Sequence, residues 1–549
     1  MTGPSGFVFL NQAHELTGPG DWNNPAWEKL WLYNLHYFDD LNAQDAAARK
    51  DWHRGLIQRW IAENPPGQGN GWEPYPLSLR IVNWIKWALA GHPLEAAWVH
   101  SLAVQIRFLR RRLEYHLLGN HLLANAKALV CAGLFFQGDE AGEWLHKGLK
   151  LLQREIPEQV LADGGHFERS PMYHSIILED LLDLLNLAEV YKDTFPVDQT
   201  CFSESSRPKD ENRPPLSGYD APVTSLRLAD WVASASNPTY GNFHANTPVQ
   251  SWRTTVQSMR RWLKAMCHPD GEIGFFNDTA LDIACSPPAL EDYAGRLGLG
   301  ALPEPETGIT HLSDSGYVRL QQSFTVVLLD VGPVGPDYSP GHAHADTLSF
   351  EWSLFGQRVL VNSGISCYGL GPERLRQRGT AAHNTVVVDG ENSSEVWGGF
   401  RVARRARPLE LALAEADDAL KVQCAHDGYR RLPGGPLHWR QWELQDNGLT
   451  IFDRIQGPFG DAVAYFHFHP AVKLDNQDNG RSGMLYLPGG RTARWNILQG
   501  IGIVQPSTYH PRFGSSATNS CLQVRFTGSE AKVLFQWDSL VLSCRQQYP

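Results

Sequence analysis

Apolar residues recur at helical spacing through the first 300 positions and at every second position after them. Leu102, Ile106, Leu109 and Leu113 step by four, three and four, as do Ile177, Leu181, Leu184 and Ala188, and each set draws an apolar stripe along one helix face. Runs near 51–63, 78–90, 121–136, 143–156, 222–235 and 252–266 repeat the pattern between short polar loops, which predicts helical hairpins packed side by side. From Ser315 the period becomes two. Val326–Leu329, Val359–Val361, Thr385–Val388 and Leu449–Phe452 read as strands, with turns at Asp389-Gly390 and Asn447-Gly448. A Pro/Gly-rich stretch, Gly298 to Gly308, separates the two regimes. The pattern therefore predicts an arm over 1–44, irregular to about residue 30, a helical domain over 45–305 and an antiparallel β-sandwich over 306–549. Cys201 to Pro215, rich in Ser, Pro, Asp and Glu, reads as a surface loop.

Composition narrows the classes of partner. A chain of 549 residues with 42% hydrophobic content can bury a large core. Its formal net charge of −11 argues against nucleic acid, which needs basic surface. Local arginine groups (Arg374, Arg376 and Arg378; Arg401, Arg404, Arg405 and Arg407) still allow an acidic polysaccharide. Arg107, Arg110, Arg111 and Arg112 read instead as a solvated helix face. Eight scattered cysteines, with no Cys-x-x-Cys, read as buried thiols rather than a disulfide framework. The first residues lack a basic stretch followed by an apolar run, and nowhere do about 18 apolar residues follow one another. The expectation is a cytoplasmic protein with no membrane insertion.

Three short pieces carry chemistry: Gly341-His342-Ala343-His344-Ala345-Asp346, Val361-Asn362-Ser363-Gly364, and Ala381-Ala382-His383-Asn384-Thr385. A lone histidine in a chain with 21 of them is ordinarily a core or surface residue. A His-x-His-x-Asp run entering an alternating segment is different, because residues two apart in a strand share a face and would turn His342 and His344 toward one cleft. The loops between helices hold a second set: Trp72-Glu73-Pro74 running to Arg80, Leu118-Gly119-Asn120-His121, and Asp163 to His174 with Glu168 and Tyr173. Caps and turns explain their Ser, Asn, Asp, Gly and Pro, but require no His, Glu or Tyr. Leu30 to Leu41, with Asn34, His36 and Tyr37, is aromatic-rich and too polar to be all core.

Gly-His-x-His-x-Asp-x-Leu-Ser, a hydrophobic strand ending in Asn-Ser-Gly, and Arg378 to Val386 together resemble the C-terminal domain of heparinase II/III-type polysaccharide lyases, and the resemblance continues upstream over most of the chain. It implies an incomplete α/α toroid followed by a β-sandwich, and β-elimination on a uronate polysaccharide. In that reading Asn120 and His121 neutralise the uronate carboxylate, while Tyr173 exchanges a proton with the ring carbon or the glycosidic oxygen. His342 is the partner base. Asn34, His36, Tyr37, Glu73, Arg80, Glu168, Arg378 and Arg401 become substrate-binding candidates. A phenol titrates near pH 10, so Tyr173 acting as base requires neighbouring cations to lower it.

The resemblance also implies a divalent metal, usually zinc, on His344, His383 and the position of Asn362. Aspartate is usual at that third position, and asparagine offers only a neutral oxygen, so binding should weaken. Lyases of this type are commonly exported, which opposes the expectation drawn from the first residues. Two alternatives stay open: a non-catalytic carbohydrate-binding or assembly protein on the same scaffold, and a glycoside hydrolase using carboxylates such as Glu73, Glu168 and Asp346. Neither the polymer nor the oligomeric state is legible in the residues.

Overall fold

The computed structural model describes residues 1–192, 248–416 and 419–538, so the helical run near 222–235 and the loop Cys201 to Pro215 lie outside the described residues. The chain divides into two compact units, Met1–Val160 with Ile177–Gln257, and Leu161–Ile176 with Ser258–Pro549. The fold class is the one expected, helical hairpins of an incomplete α/α toroid followed by an antiparallel β-sandwich.

Among the described residues the helices are α1 (Lys29–Tyr37), α2 (Lys50–Glu63), α3 (Pro74–Leu89), α4 (Ala96–Arg111), α5 (Gly119–Phe135), α6 (Asp139–Gln159), α7 (Pro171–Val190), α8 (Pro248–Ala265), α9 (Pro287–Arg296) and α10 (Pro372–Arg378). The strands are β1 (Gly6–Phe9), β2 (Gln12–Glu15), β3 (Gly308–Leu312), β4 (Tyr317–Gln322), β5 (Thr325–Asp330), β6 (Phe350–Leu354), β7 (Gln357–Leu360), β8 (Val386–Val388), β9 (Val396–Trp397), β10 (Arg401–Val402), β11 (Pro408–Ala416), β12 (Ala419–His426) and β13 (Leu437–Gln445). They continue as β14 (Gly448–Gln456), β15 (Ala462–His467), β16 (Lys473–Gln477), β17 (Ser482–Tyr486), β18 (Thr492–Gln499), β19 (Ile501–Tyr509), β20 (Ala517–Arg525) and β21 (Glu530–Trp537).

In the first unit the apolar stripes become a core in which Trp22, Trp31, Trp60 and Trp84 are fully buried. Helices α5 and α6 approach so closely that a Cβ on Gly133 would lie 2.5 Å from the Leu145 nitrogen, and one on Gly148 2.8 Å from the Ala126 carbonyl. Only glycine fits there. The first 30 residues are not the irregular arm expected: β1 and β2 pair as an antiparallel hairpin, and Trp31 Nε1 donates to the Gln12 carbonyl at 3.0 Å. The short strands escaped notice because Leu10 and Asn11 turn the chain at positive φ without glycine or proline.

In the second unit the ladders form a five-stranded sheet (β3-β4-β5-β6-β7), a four-stranded sheet (β19-β20-β15-β8) and an eight-stranded sheet (β11-β12-β13-β14-β21-β18-β17-β16), all antiparallel. Burial alternates strictly along β13 and β21. Their inward residues share one core with Phe350, Trp352, Phe466 and Trp495. This unit begins well before Gly298, where the sequence pattern placed the change. Trp262, Met266 and Phe276 pack with Tyr317, Val326 and Leu328, and Arg319 Nη1 donates to the Ala265 and Cys267 carbonyls at 3.1 and 2.7 Å. A helical period marks an element and not the core that the element joins.

Several buried histidines tie stability to pH. Burial pushes His36 and His174 down to about 3 and His467 to about 4. Between those values and the unfolded pKa near 6.5, the unfolded chain binds more protons than the folded one, so stability is intact above 6.5 and falls on acidification. The thermal midpoint should therefore drop steadily from pH 7 to pH 4.5, at up to about 1.4 kcal/mol per pH unit for each such histidine. A midpoint flat across that range would contradict these burial states.

Candidate functional site

The second unit gathers its chemistry around Asp278, which is fully buried. Oδ2 accepts from His342 Nδ1 at 2.8 Å and from Arg374 Nη2 at 2.7 Å; Oδ1 accepts from His344 Nε2 at 2.8 Å and from Arg374 Nη1. Burial would raise this carboxyl, but the Arg374 charge and the two histidine hydrogen bonds outweigh it and hold the group well below the usual carboxylate range. An ionised Asp278 accepts only. His342 therefore has a proton on Nδ1, which in a neutral imidazole leaves the lone pair on Nε2; His344 carries its proton on Nε2 and presents Nδ1.

The backbone makes this convergence rigid. Asp278 N–H donates to the His342 carbonyl at 2.9 Å, Asn277 N–H to Asp346 Oδ2 at 3.1 Å, and His344 N–H to Asn277 Oδ1 at 3.0 Å. Asn277 sits at φ +55, a left-handed position that asparagine tolerates better than most residues. The histidine motif is not a strand, since β6 begins at Phe350. The two imidazoles meet because one carboxylate holds both, rather than through strand alternation.

Tyr173 stands in the first turn of α7, behind Pro171. Ser170 Oγ caps the helix by accepting Tyr173 N–H at 3.2 Å and donates to the Asp278 carbonyl at 2.6 Å. The Tyr173 ring lies 4.0 Å from the His342 ring, and its hydroxyl hydrogen-bonds the Tyr368 hydroxyl at 2.9 Å. Burial, then Tyr368, Asp278 and Glu168, raise the Tyr173 phenol well above 10. The neighbouring charge expected to lower it does not prevail: Arg374, which acts on Tyr173, is ion-paired to Asp278, and the phenol stays raised. Glu168, buried, reaches His342 Nε2 at 3.8 Å.

His344 Nδ1 and His383 Nε2 lie 3.2 Å apart, and with the Asp346 carboxylate they form a group whose ligand atoms all fall within 4.8 Å of one another. Two imidazoles and a carboxylate at this spacing suit a divalent ion such as zinc, and Asp278 behind His344 supplies the outer carboxylate typical of such sites. Burial pushes His344 to about 4 and His383 to about 3, so both are neutral near pH 7, as ligands must be. Asn362, expected as the third ligand, is occupied otherwise: Oδ1 accepts from Asn384 N–H at 3.1 Å and Nδ2 donates to the Phe275 carbonyl at 2.9 Å. Asp346, from the same His-x-His-x-Asp run, supplies the carboxylate that Asn362 lacks.

The other sequence candidates separate by burial. His36 is enclosed, bonded to the Trp22 carbonyl and to Trp60 Nε1 at 3.0 Å each. Arg80 is equally enclosed over the Trp60 ring at 3.8 Å, donating to Gln105, to the His36 carbonyl and to the Gly71 carbonyl. Both hold the core of the first unit together and cannot reach a substrate. Asn34 donates to the Leu30 carbonyl within α1, Tyr37 is buried, and Glu73 is held by the Tyr33 hydroxyl and by Lys29 at 3.0 Å. Asn120 and His121 open α5 in the first unit, where His121 Nδ1 meets Glu114 Oε1 at 3.1 Å and its ring lies 4.4 Å from Tyr75.

In the second unit Arg378 is buried and bonds the Ala343 carbonyl at 2.8 Å and the Gly399 carbonyl at 3.1 Å, so it positions the histidine loop rather than a ligand. Arg401 is exposed. Asp278, Arg374 and Tyr368 were not singled out by sequence. Arg374 was visible only as one of an arginine group, and the signal for Asp278 was a polar Asn-Asp-Thr run after an apolar pair, Phe275-Phe276.

Comparison with known proteins gives the family. Residues 43–203 match the heparinase II/III N-terminus and residues 304–538 the heparinase II/III-like C-terminal domain. A heparin-sulfate lyase of Bacteroides stercoris is 26% identical over 294 residues, 51% of this chain and 37% of that protein. FtsZ-localized protein C of Caulobacter vibrioides is 23% identical over 517 residues, 86% of this chain and 74% of that protein. A crystal structure of heparinase III superposes with a TM-score of 0.68 at 16% identity, covering 99% of this chain and 82% of the other. The chain spans less than half the length of the heparin-sulfate lyases it matches. With both halves of the family model matched and the heparinase fold reproduced, the chain belongs to the heparinase II/III family.

Proposed function

We propose that this protein is a polysaccharide lyase that cuts a 4-linked uronate polymer by β-elimination. The observation that carries the reading is a phenol held protonated beside an imidazole whose free nitrogen is fixed by a buried carboxylate. His342 Nε2 takes the proton alpha to the uronate carboxylate. The C–H electron pair becomes the C4–C5 double bond, the C4–O bond breaks, and the departing oxygen takes the Tyr173 proton. The imidazolium then returns its proton to the tyrosinate, which restores both groups. Tyr173 acts here as acid, because its raised pKa suits donation and opposes service as base. The names of the lyase relatives support an acidic polysaccharide as partner.

His344, Asp346 and His383 would hold a divalent ion. Once bound it supplies positive charge beside two buried carboxyls, Asp346 and Asp330, both of which burial raises. Its place among the loops that carry Asp278 suits a structural role.

A second reading, a non-catalytic protein on the same scaffold, is raised by FtsZ-localized protein C, whose name gives a location and no reaction and with which 86% of the chain aligns. Product separates the two, since elimination leaves an unsaturated uronate that absorbs ultraviolet light and binding leaves none. A screen of acidic polysaccharides should yield that absorbance with one of them; saturated new ends would indicate hydrolysis instead. On that substrate Tyr173→Phe should lower kcat about 100-fold or more, His342→Ala comparably, and the double variant little further, because both groups serve one transition state. Near-normal turnover by Tyr173→Phe would remove the phenol from the mechanism.

Zinc affinity, read by competition with a chromophoric chelator, tests the metal group independently. Asp346→Asn should weaken binding about 10-fold or more, while Asn362→Asp should change it by less than about 3-fold. The reverse ranking would return the third ligand to position 362.

A further inference from the structure

The hairpin β9–β10 carries features that the catalytic group does not use. Trp397 is 58% exposed and Leu370 is 83% exposed, with a Leu370 methyl 3.8 Å from where a Cβ on Gly399 would stand. Phe400, at the tip, is 42% exposed and sets its ring 5.7 Å from His342 and 5.1 Å from Tyr368. Clustered apolar exposure of this kind usually marks a binding surface. Trp397 pairs directly with Arg401 across the ladder. Residues opposite each other in an antiparallel pair point to the same face, so the Trp397 and Arg401 side chains leave one face of the hairpin. Arg401 is exposed and enters no ion pair among the described residues, whereas Arg404 and Arg405 nearby are held by Glu395 and Asp337.

The hairpin is also rigid. The Gly399 carbonyl accepts from Arg374 Nε at 3.0 Å and Arg378 Nη1 at 3.1 Å, and the Arg401 carbonyl from Arg378 Nη2 at 3.4 Å. Both arginines are fully buried, and Arg374 is the one that grips Asp278. The backbone that presents an aromatic face and an unpaired cation is thus anchored relative to His342, which limits the ordering cost of binding.

We propose that this hairpin is a saccharide subsite, in which Trp397 stacks on the apolar face of a pyranose ring and Arg401 receives that sugar's carboxylate or sulfate. The assignment rests on the reading of the chain as acting on an acidic polysaccharide, and names how one residue of that polymer is held beside the reacting one. The pairing of ring and cation selects a charged sugar over a neutral one, because a guanidinium gains little from hydroxyls that water already satisfies.

Calorimetric binding of a glucuronate/N-acetylglucosamine hexasaccharide to the full chain carrying Tyr173→Phe, which slows turnover, tests the subsite. Trp397→Ala added to it should weaken binding about 10-fold, the upper range of a single aromatic contact. Arg401→Gln should weaken it about 5-fold at low salt, with the difference shrinking in 0.5 M salt (about one Debye length of 4 Å). The neutral chitohexaose should bind more weakly and be indifferent to Arg401→Gln. Binding of the acidic hexasaccharide unchanged by both substitutions, or no binding of it at all, overturns the subsite. The parent chain, assayed separately for unsaturated product, keeps the two readings distinguishable. Product with Trp397-independent binding leaves the lyase and removes the subsite, and Trp397-dependent binding without product does the opposite.

Discussion

One buried carboxylate organises the second unit's chemistry. Asp278 has two oxygens and four lone-pair positions, and His342, His344 and both terminal nitrogens of Arg374 fill them. Removing any of these donors would leave part of a buried anion without compensation, a change of several kcal/mol in comparable settings. The same carboxylate decides which nitrogen of each imidazole is free. That of His342 lies 3.8 Å from Glu168, and that of His344 faces His383. A single charge thus engages different ring nitrogens of two histidines in one motif, Nδ1 of His342 and Nε2 of His344.

Around that anion the fold gives neighbouring titratable groups different environments. Tyr173 and Tyr368 share a hydrogen bond in a buried setting and both keep their protons, with burial the leading cause. His342 is the more accessible partner, 17% exposed at its side chain, against none for His344. Two groups whose surroundings differ in this way can exchange one proton through a catalytic cycle without either being strongly reactive at rest.

The histidine motif, the tyrosine behind Ser170-Pro171 and the switch from helical to alternating period were all legible in the sequence, because each is written in neighbouring residues. Asp278 was not, since it lies 64 residues before His342 and meets it only through the pairing of Asn277 and Asp278 with the loop. Arg80 and His36 looked like ligands because polar groups in an aromatic segment suggest a binding surface. In the structure their polarity is satisfied internally, by Gly71, Gln105, Trp22 and Trp60. Asn362 misled for a related reason: a side-chain amide can serve a metal or two backbone groups, and only the surrounding chain decides which.

Arg374 has a consequence of another kind. Its Nε holds the Gly399 carbonyl while its two terminal nitrogens hold Asp278, so one planar group spans an exposed hairpin and a buried anion. Lysine could satisfy one of those partners and not both. In the course of divergence the exposed hairpin is therefore not free to drift apart from the core that positions His342. Side chains on the hairpin can be exchanged, but the backbone presenting them is inherited together with the buried anion.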